Sequence, residues 1–135
     1  MKITTWLFLF SVVLTQAQDK PVGIFQHHQD IGRPKLEGAS AFDETNQYYT
    51  LRGAGYNIWF ERDEFHYTYR KMKGDFILTG DFEFVGAGTD GHRKTGWMVR
   101  ESLDDNAAHV SAVVHGDGLT LLQWRRLKGA FMRDP

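Results

Sequence analysis

The run "AAHVSAVVHGDGLTLLQWRR", residues 107–126, constrains the fold more than any other part of the chain. Ala108, Val110, Ala112 and Val114 alternate with His109, Ser111, Val113 and His115, so in an extended chain the two sets point to opposite faces. Such a period of two cannot be buried along one side of a helix, whose repeat is about 3.6 residues. The Gly-Asp-Gly connection in "HGDG" is short enough to close a hairpin, after which "GLTLLQWRR" supplies a second strand.

The same period recurs along most of the chain. In "GDFILTGDFEF" Phe76, Leu78, Phe82 and Phe84 share one parity and Asp75, Thr79, Asp81 and Glu83 the other, which predicts a half-buried strand. "TGWMVRES", "KLEGASAF", "QYYTLRG", "YNIWF" and "EFHYTYRKM" read as further strands between turns rich in Gly, Asn and Asp. No window of twelve or more residues carries a helical stripe. The expected architecture is an all-β antiparallel sandwich or jelly roll. A chain of 135 residues with 41% hydrophobic content has material for one such domain.

The N-terminus reads as a signal peptide spanning residues 1–17. Lys2 is the positive n-region, "WLFLFSVVL" the apolar h-region, and "TQA" places small or neutral residues before a cleavage point after Ala17. The apolar run is far shorter than the roughly 20 residues a spanning helix needs, so no membrane span is expected in the mature chain, 18–135. The expectation is an exported protein, periplasmic or extracellular. With no cysteine in the chain, packing alone must hold the fold in that oxidising setting. Sixteen Lys and Arg against 17 Asp and Glu give no basic surplus for a nucleic-acid partner.

"VGAGTDGHRKT" matches G-x-G-x-x-G at Gly86, Gly88 and Gly91, but the residues that follow are poor helix material, and a dinucleotide site needs a helix there. A phosphate-cradling P-loop would need Lys after Gly91, where His92 stands. The loop therefore reads as a turn between strands. His27 and His28 are adjacent and on a strand would face opposite ways, so they read as a polar loop after "GIF" and not as metal ligands. No cofactor or metal is expected. Glu61 with Asp63 or Glu64 could supply the paired carboxylates of a glycoside hydrolase, although any solvated i, i+2 pair has that spacing.

A ligand surface is the remaining option. His109, Ser111 and His115 share one sheet face, and neighbouring strands offer Arg100, Trp97, Trp124 and Gln123. Flat rings beside hydrogen-bonding groups suit a ligand with apolar faces and polar edges, such as a sugar. Arg100, His109, Ser111, His115 and Trp124 are thus the candidate ligand-binding residues, with no catalytic residue among them. Trp97 fits the core, and Trp124, next to Arg125 and Arg126, fits either the core or a ligand-facing edge. Arg100 and His109 read first as a buried polar pair that fixes register between adjacent strands, ahead of ligand contact.

From "DIGRPKLEGASAF" through "KGDF", "GWMVRES" and "AAHVSAVVHGDGLT" to "LQWR", the chain resembles the concanavalin A-like jelly-roll domain of exported bacterial proteins. Several of those proteins also carry a β-propeller of the Tol biopolymer-transporter type. The resemblance implies the sandwich fold, an exported setting and a glycan-associated role, with a glycan or cell-envelope polysaccharide and a downstream propeller as the implied partners. It implies no catalytic residues, since relatives include lectin-like modules and glycan hydrolases. Relatives continue past the "LQWR" strand, whereas here "LKGAFMRDP" follows, so the sandwich is expected to be incomplete at its C-terminus, with an open edge and an uncovered apolar face. Three functions follow as expectations: a non-catalytic glycan-binding or interaction module, a structural N-terminal domain of a larger propeller protein, and a glycan hydrolase relative.

Overall fold

The computed structural model describes residues 20–88 and 90–135; the expected signal peptide and Thr89 lie outside the described residues. Among the described residues all regular structure is β. Strand β1 (His27–Ile31) pairs with β6 (Phe65–Tyr69), β2 (Ala39–Asp43) with β3 (Tyr48–Arg52), and β4 (Ile58–Trp59) with β5 (Arg62–Asp63). Strands β7 (Lys94–Arg100), β8 (His109–His115) and β9 (Thr120–Arg125) form a three-stranded sheet in that order, and every pairing is antiparallel.

Turn chemistry sets the β2–β3 and β8–β9 hairpins. After β2 the Asp43 carboxylate accepts from the backbone N–H of Thr45 and Asn46 at 2.9 and 3.2 Å, and Gln47 then takes a φ of 60° to start β3. After β8 the Asp117 carboxylate accepts from Leu119 N–H at 3.0 Å, and Gly118 supplies the φ of 92° that an L side chain resists. In β7, Gly96 lets the backbones close up: a Cβ there would stand 2.1 Å from the Ala112 carbonyl oxygen on β8.

Two readings from the sequence change. Residues 74–84, expected as a strand, have the right alternation but no paired neighbour among the described residues, and Ile77 and Val85 are about nine-tenths exposed. The segment touches the outer face of the sheet instead, where the Phe82 ring meets Trp97 edge-on at 5.5 Å. Conversely, "HHQDI", expected as a loop, is strand β1, held by its register with β6 from His27 opposite Tyr69 to Ile31 opposite Phe65. The glycine-rich loop is a turn as expected, although the segment before it is not a strand. Its organiser is Arg93, whose guanidinium lies 4.4 Å from the Phe84 ring centre and donates to the Gly86 carbonyl at 3.3 Å. A Cβ at Gly88 would fall 2.3 Å from that guanidinium, so the glycine makes room for the arginine, not for a phosphate.

The alternation of β8 holds, but the better-buried face is the polar one. His109, Ser111, Val113 and His115 are all buried, while Val110 and Ala112 on the other face are exposed. Residues 57–67 cover the polar face: Tyr67 donates to the Met98 carbonyl at 3.0 Å, Phe65 lies under the Arg100 guanidinium, and Lys94 donates to Asn57 Oδ1 at 2.6 Å. The fully enclosed interior therefore contains Asp63, His109, Ser111, His115, Gln123 and Arg125 beside Ile31, Ala107, Val113 and Met132.

Candidate functional site

Register places the site. Lys94, Met98 and Arg100 of β7 stand opposite His115, Ser111 and His109 of β8, and Ser111 and His109 stand opposite Gln123 and Arg125 of β9. Opposed residues share a face in an antiparallel sheet, so these side chains form one polar surface. Four of the candidate ligand residues, Arg100, His109, Ser111 and His115, are brought together there. Trp124 is not: it stands opposite Val110, on the outer face with Trp97, Val99 and Leu122.

One end of the surface is locked by charge. Asp63, fully buried, receives Arg125 Nη1 and Nη2 on its two oxygens at 2.8 Å each, a bidentate pair. Arg100 Nη1 reaches the same carboxylate at 3.5 Å. Arg125 spends its other donors on the carbonyls of Ala130, Ala107 and Phe60 at 2.9, 3.2 and 3.2 Å, and Arg100 Nε donates to Ser102 O at 2.7 Å. A buried ion pair survives only when its remaining donors are satisfied in this way. Arg100 and His109 thus lie in a cluster that fixes how the 57–67 segment docks on the sheet. Burial lowers the Arg100 pKa despite Asp63. It also lowers that of His109, whose Nδ1 donates to Ala107 O at 3.2 Å.

The rest of the surface has unspent hydrogen-bonding capacity. His109 Nε2, Gln123 Oε1 and both ring nitrogens of His115 are buried with no hydrogen-bond partner among the described residues. Ser111 Oγ reaches only the Gln123 carbonyl, at 3.5 Å. Buried polar atoms left unpaired cost roughly 1–3 kcal/mol each, so a row of them on one face is an arrangement that a hydrogen-bonding ligand would stabilise. His115 stands at the strand end beside Lys94, with the His92 ring edge-on at 5.7 Å. Burial, reinforced by Lys94, lowers the His115 pKa, and burial lowers that of Lys94.

The carboxylates considered for glycoside cleavage are occupied otherwise. Asp63 is bound by two arginines. Glu64 pairs with Arg62 at 3.0 Å and accepts from Tyr56 N–H at 3.2 Å. Glu61 is exposed. No group of three or more metal-ligating side chains occurs among the described residues. No helix among them is long and apolar enough to cross a membrane.

The alternation of β8 revealed His109, Ser111 and His115 in advance. Arg125 was missed as a site residue because its partner, Asp63, is 62 positions away and no local pattern links them. Comparison with known proteins finds no match for this chain among protein-family models, curated proteins or solved structures.

Proposed function

We propose that the chain is an exported glycan-binding module built on a concanavalin A-like jelly roll, and that it holds its ligand without catalysis on the polar face of the β7–β8–β9 sheet. The observation that carries this reading is the row of buried, unpaired hydrogen-bonding atoms on His109, Gln123 and His115. Hydroxyl-rich ligands satisfy donors and acceptors together, which suits a row mixing imidazole and amide groups. Lys94 stands on this face opposite His115, and its ammonium would attract an acidic polysaccharide such as a uronate-bearing envelope glycan.

The test is retention on immobilised acidic and neutral polysaccharides. The intact chain is expected to bind the acidic ones in a salt-sensitive manner. His115→Ala and Gln123→Ala are expected to lose binding, whereas Trp124→Ala keeps it. Binding lost on Trp124→Ala and kept in the other two variants would move the site to the opposite face.

A second reading, that the chain is one layer of a larger propeller protein, is favoured by a separate observation. Val99, Val110 and Leu122 on the outer face are 42%, 41% and 50% exposed, a contiguous apolar surface of the kind another layer covers. Extending the chain with whatever sequence adjoins it in the genome, and measuring protection of Val110 and Leu122 from hydrogen exchange, tests this reading. Unchanged exchange would count against it.

A further inference from the structure

Elsewhere in the fold, three strands bring together Asp30 of β1, His66 of β6 and Ser40 of β2. Asp30 stands opposite His66 in the β1–β6 register, so their side chains share a face. His66 Nδ1 lies 2.7 Å from Asp30 Oδ1, and His66 Nε2 lies 3.0 Å from Ser40 Oγ. With Nδ1–H donating to the carboxylate, Nε2 is the acceptor, and it faces the serine hydroxyl. Thr68 Oγ1 touches Ser40 Oγ from the other side and donates to it, so the hydrogen-bond chain runs from Thr68 through Ser40 and His66 to Asp30.

The arrangement is built rather than incidental. The His66 side chain is only 4% exposed. Gly38 N–H also fixes the Asp30 carboxylate, at 3.0 Å to Oδ2. A Cβ on Gly38 would lie 2.1 Å from His66 Nδ1, and one on Gly53 3.0 Å from the His66 Cβ, so two glycines clear the space the imidazole occupies. Burial alone would raise the Asp30 pKa, but the hydrogen bonds from His66 and Gly38 outweigh it and keep the group below the ordinary carboxylate value.

Ser40 is also reachable. It lines a cavity of about 290 Å³ together with His28, Phe42, Glu44 and Lys20. The His28 ring lies 5.3 Å from that of His66, and its Nδ1 is buried with no hydrogen-bond partner among the described residues. An unpaired imidazole nitrogen at the wall of a cavity that also presents a serine hydroxyl is a second, independent sign of a ligand.

We propose that Ser40, His66 and Asp30 form a nucleophilic centre that hydrolyses esters of small carboxylic acids. Ser40 Oγ attacks the ester carbonyl carbon while its proton passes to His66 Nε2. The tetrahedral oxyanion collapses, the carbon–oxygen bond to the alcohol breaks, and the departing alkoxide takes the proton from His66, leaving an acyl-Ser40 ester. Water then attacks that ester as His66 accepts its proton, and collapse returns the proton to Ser40 Oγ and frees the carboxylic acid. Asp30 is a positioning residue that holds the His66 tautomer. Lys20 and His28 line the same cavity.

The test uses the full chain and a fluorophosphonate probe, with the labelled residue mapped by peptide mass. Labelling is expected on Ser40, absent in His66→Gln, and unchanged in Ser102→Ala, whose serine sits in an exposed loop. Turnover of p-nitrophenyl acetate is expected to fall about 100-fold or more in Ser40→Ala. Asp30→Asn is expected to lower kcat with KM unchanged, because the amide favours the wrong tautomer, and a cluster that only braced three strands would not produce that split. A wild-type chain in which the probe leaves Ser40 unlabelled overturns the proposal without recourse to any variant. Equal labelling of Ser40 in His66→Gln overturns it as well.

Discussion

Asp63 governs the interior at the scale of single residues. Among the described residues its carboxylate is the anion that ion-pairs with Arg125, and it meets that guanidinium with two 2.8 Å bonds and no exposure to water. Removing one member of a buried pair leaves the other charge uncompensated, so Asp63→Asn is expected to cost about 3–5 kcal/mol in urea unfolding. A cost under about 1 kcal/mol would mean that water reaches the cluster. The histidines make a second prediction. Burial lowers the folded-state pKa of His109 and His115, so both are neutral when folded and take up a proton on unfolding below about pH 6.5. The unfolded chain then binds more protons, and stability falls as pH drops through that value, by up to about 1.4 kcal/mol per pH unit for each histidine. Asp43 and Asp104 act lower down. Asn46 holds the first and Lys128 the second below the ordinary carboxylate value, so their contribution is lost only as pH falls below about 4. Thermal melts from pH 8 to pH 3 check both stages, and His109→Gln is expected to flatten the first.

For the strands, what could be read in advance depended on whether a segment carries its own partner. Strands β7, β8 and β9 were legible because alternation, a glycine-bearing turn and the next strand follow one another in sequence. Residues 74–84 have equally good alternation, yet alternation states only which side chains would share a face and supplies no neighbour to bond with. The reverse failure is β1. "HHQDI" has one strongly apolar residue, Ile31, and its strand is made by β6, which lies more than thirty residues on. That pairing also assembles Asp30 with His66, so the cluster with Ser40 was invisible for the same reason: its members come from three strands and have no fixed spacing. The polar row on β8 was legible by parity, but which face the chain buries was not, since that depends on the long-range Asp63–Arg125 pair. Gly96 carries the prediction at this scale. With a φ of 154° and the Ala112 carbonyl 2.1 Å from where a Cβ would be, Gly96→Ala must separate β7 from β8. It is expected to destabilise by more than about 1 kcal/mol, read as a lower urea midpoint. An unchanged midpoint would show that the strands can part at no cost.

The two sides of the β7–β8–β9 sheet have opposite characters, and the whole molecule follows from that contrast. The inner side is charged, polar and covered by residues 57–67; the outer side is apolar and partly open, with Phe82 resting on Trp97. The outer side is expected to drive self-association at high concentration. Sedimentation velocity should show Leu122→Glu shifted toward monomer, and an unshifted distribution would place association elsewhere. The inner side carries the central claim, that unpaired groups on a buried polar face bind an acidic glycan. The most direct measurement is nitrogen NMR of the histidine rings and glutamine amides during titration with a uronate oligosaccharide. The His115 ring and the Gln123 amide signals are expected to move first and furthest, with His109 following and His27 unmoved. Shifts confined to His27 or to the outer-face tryptophans, or no shift at saturating oligosaccharide, would contradict it.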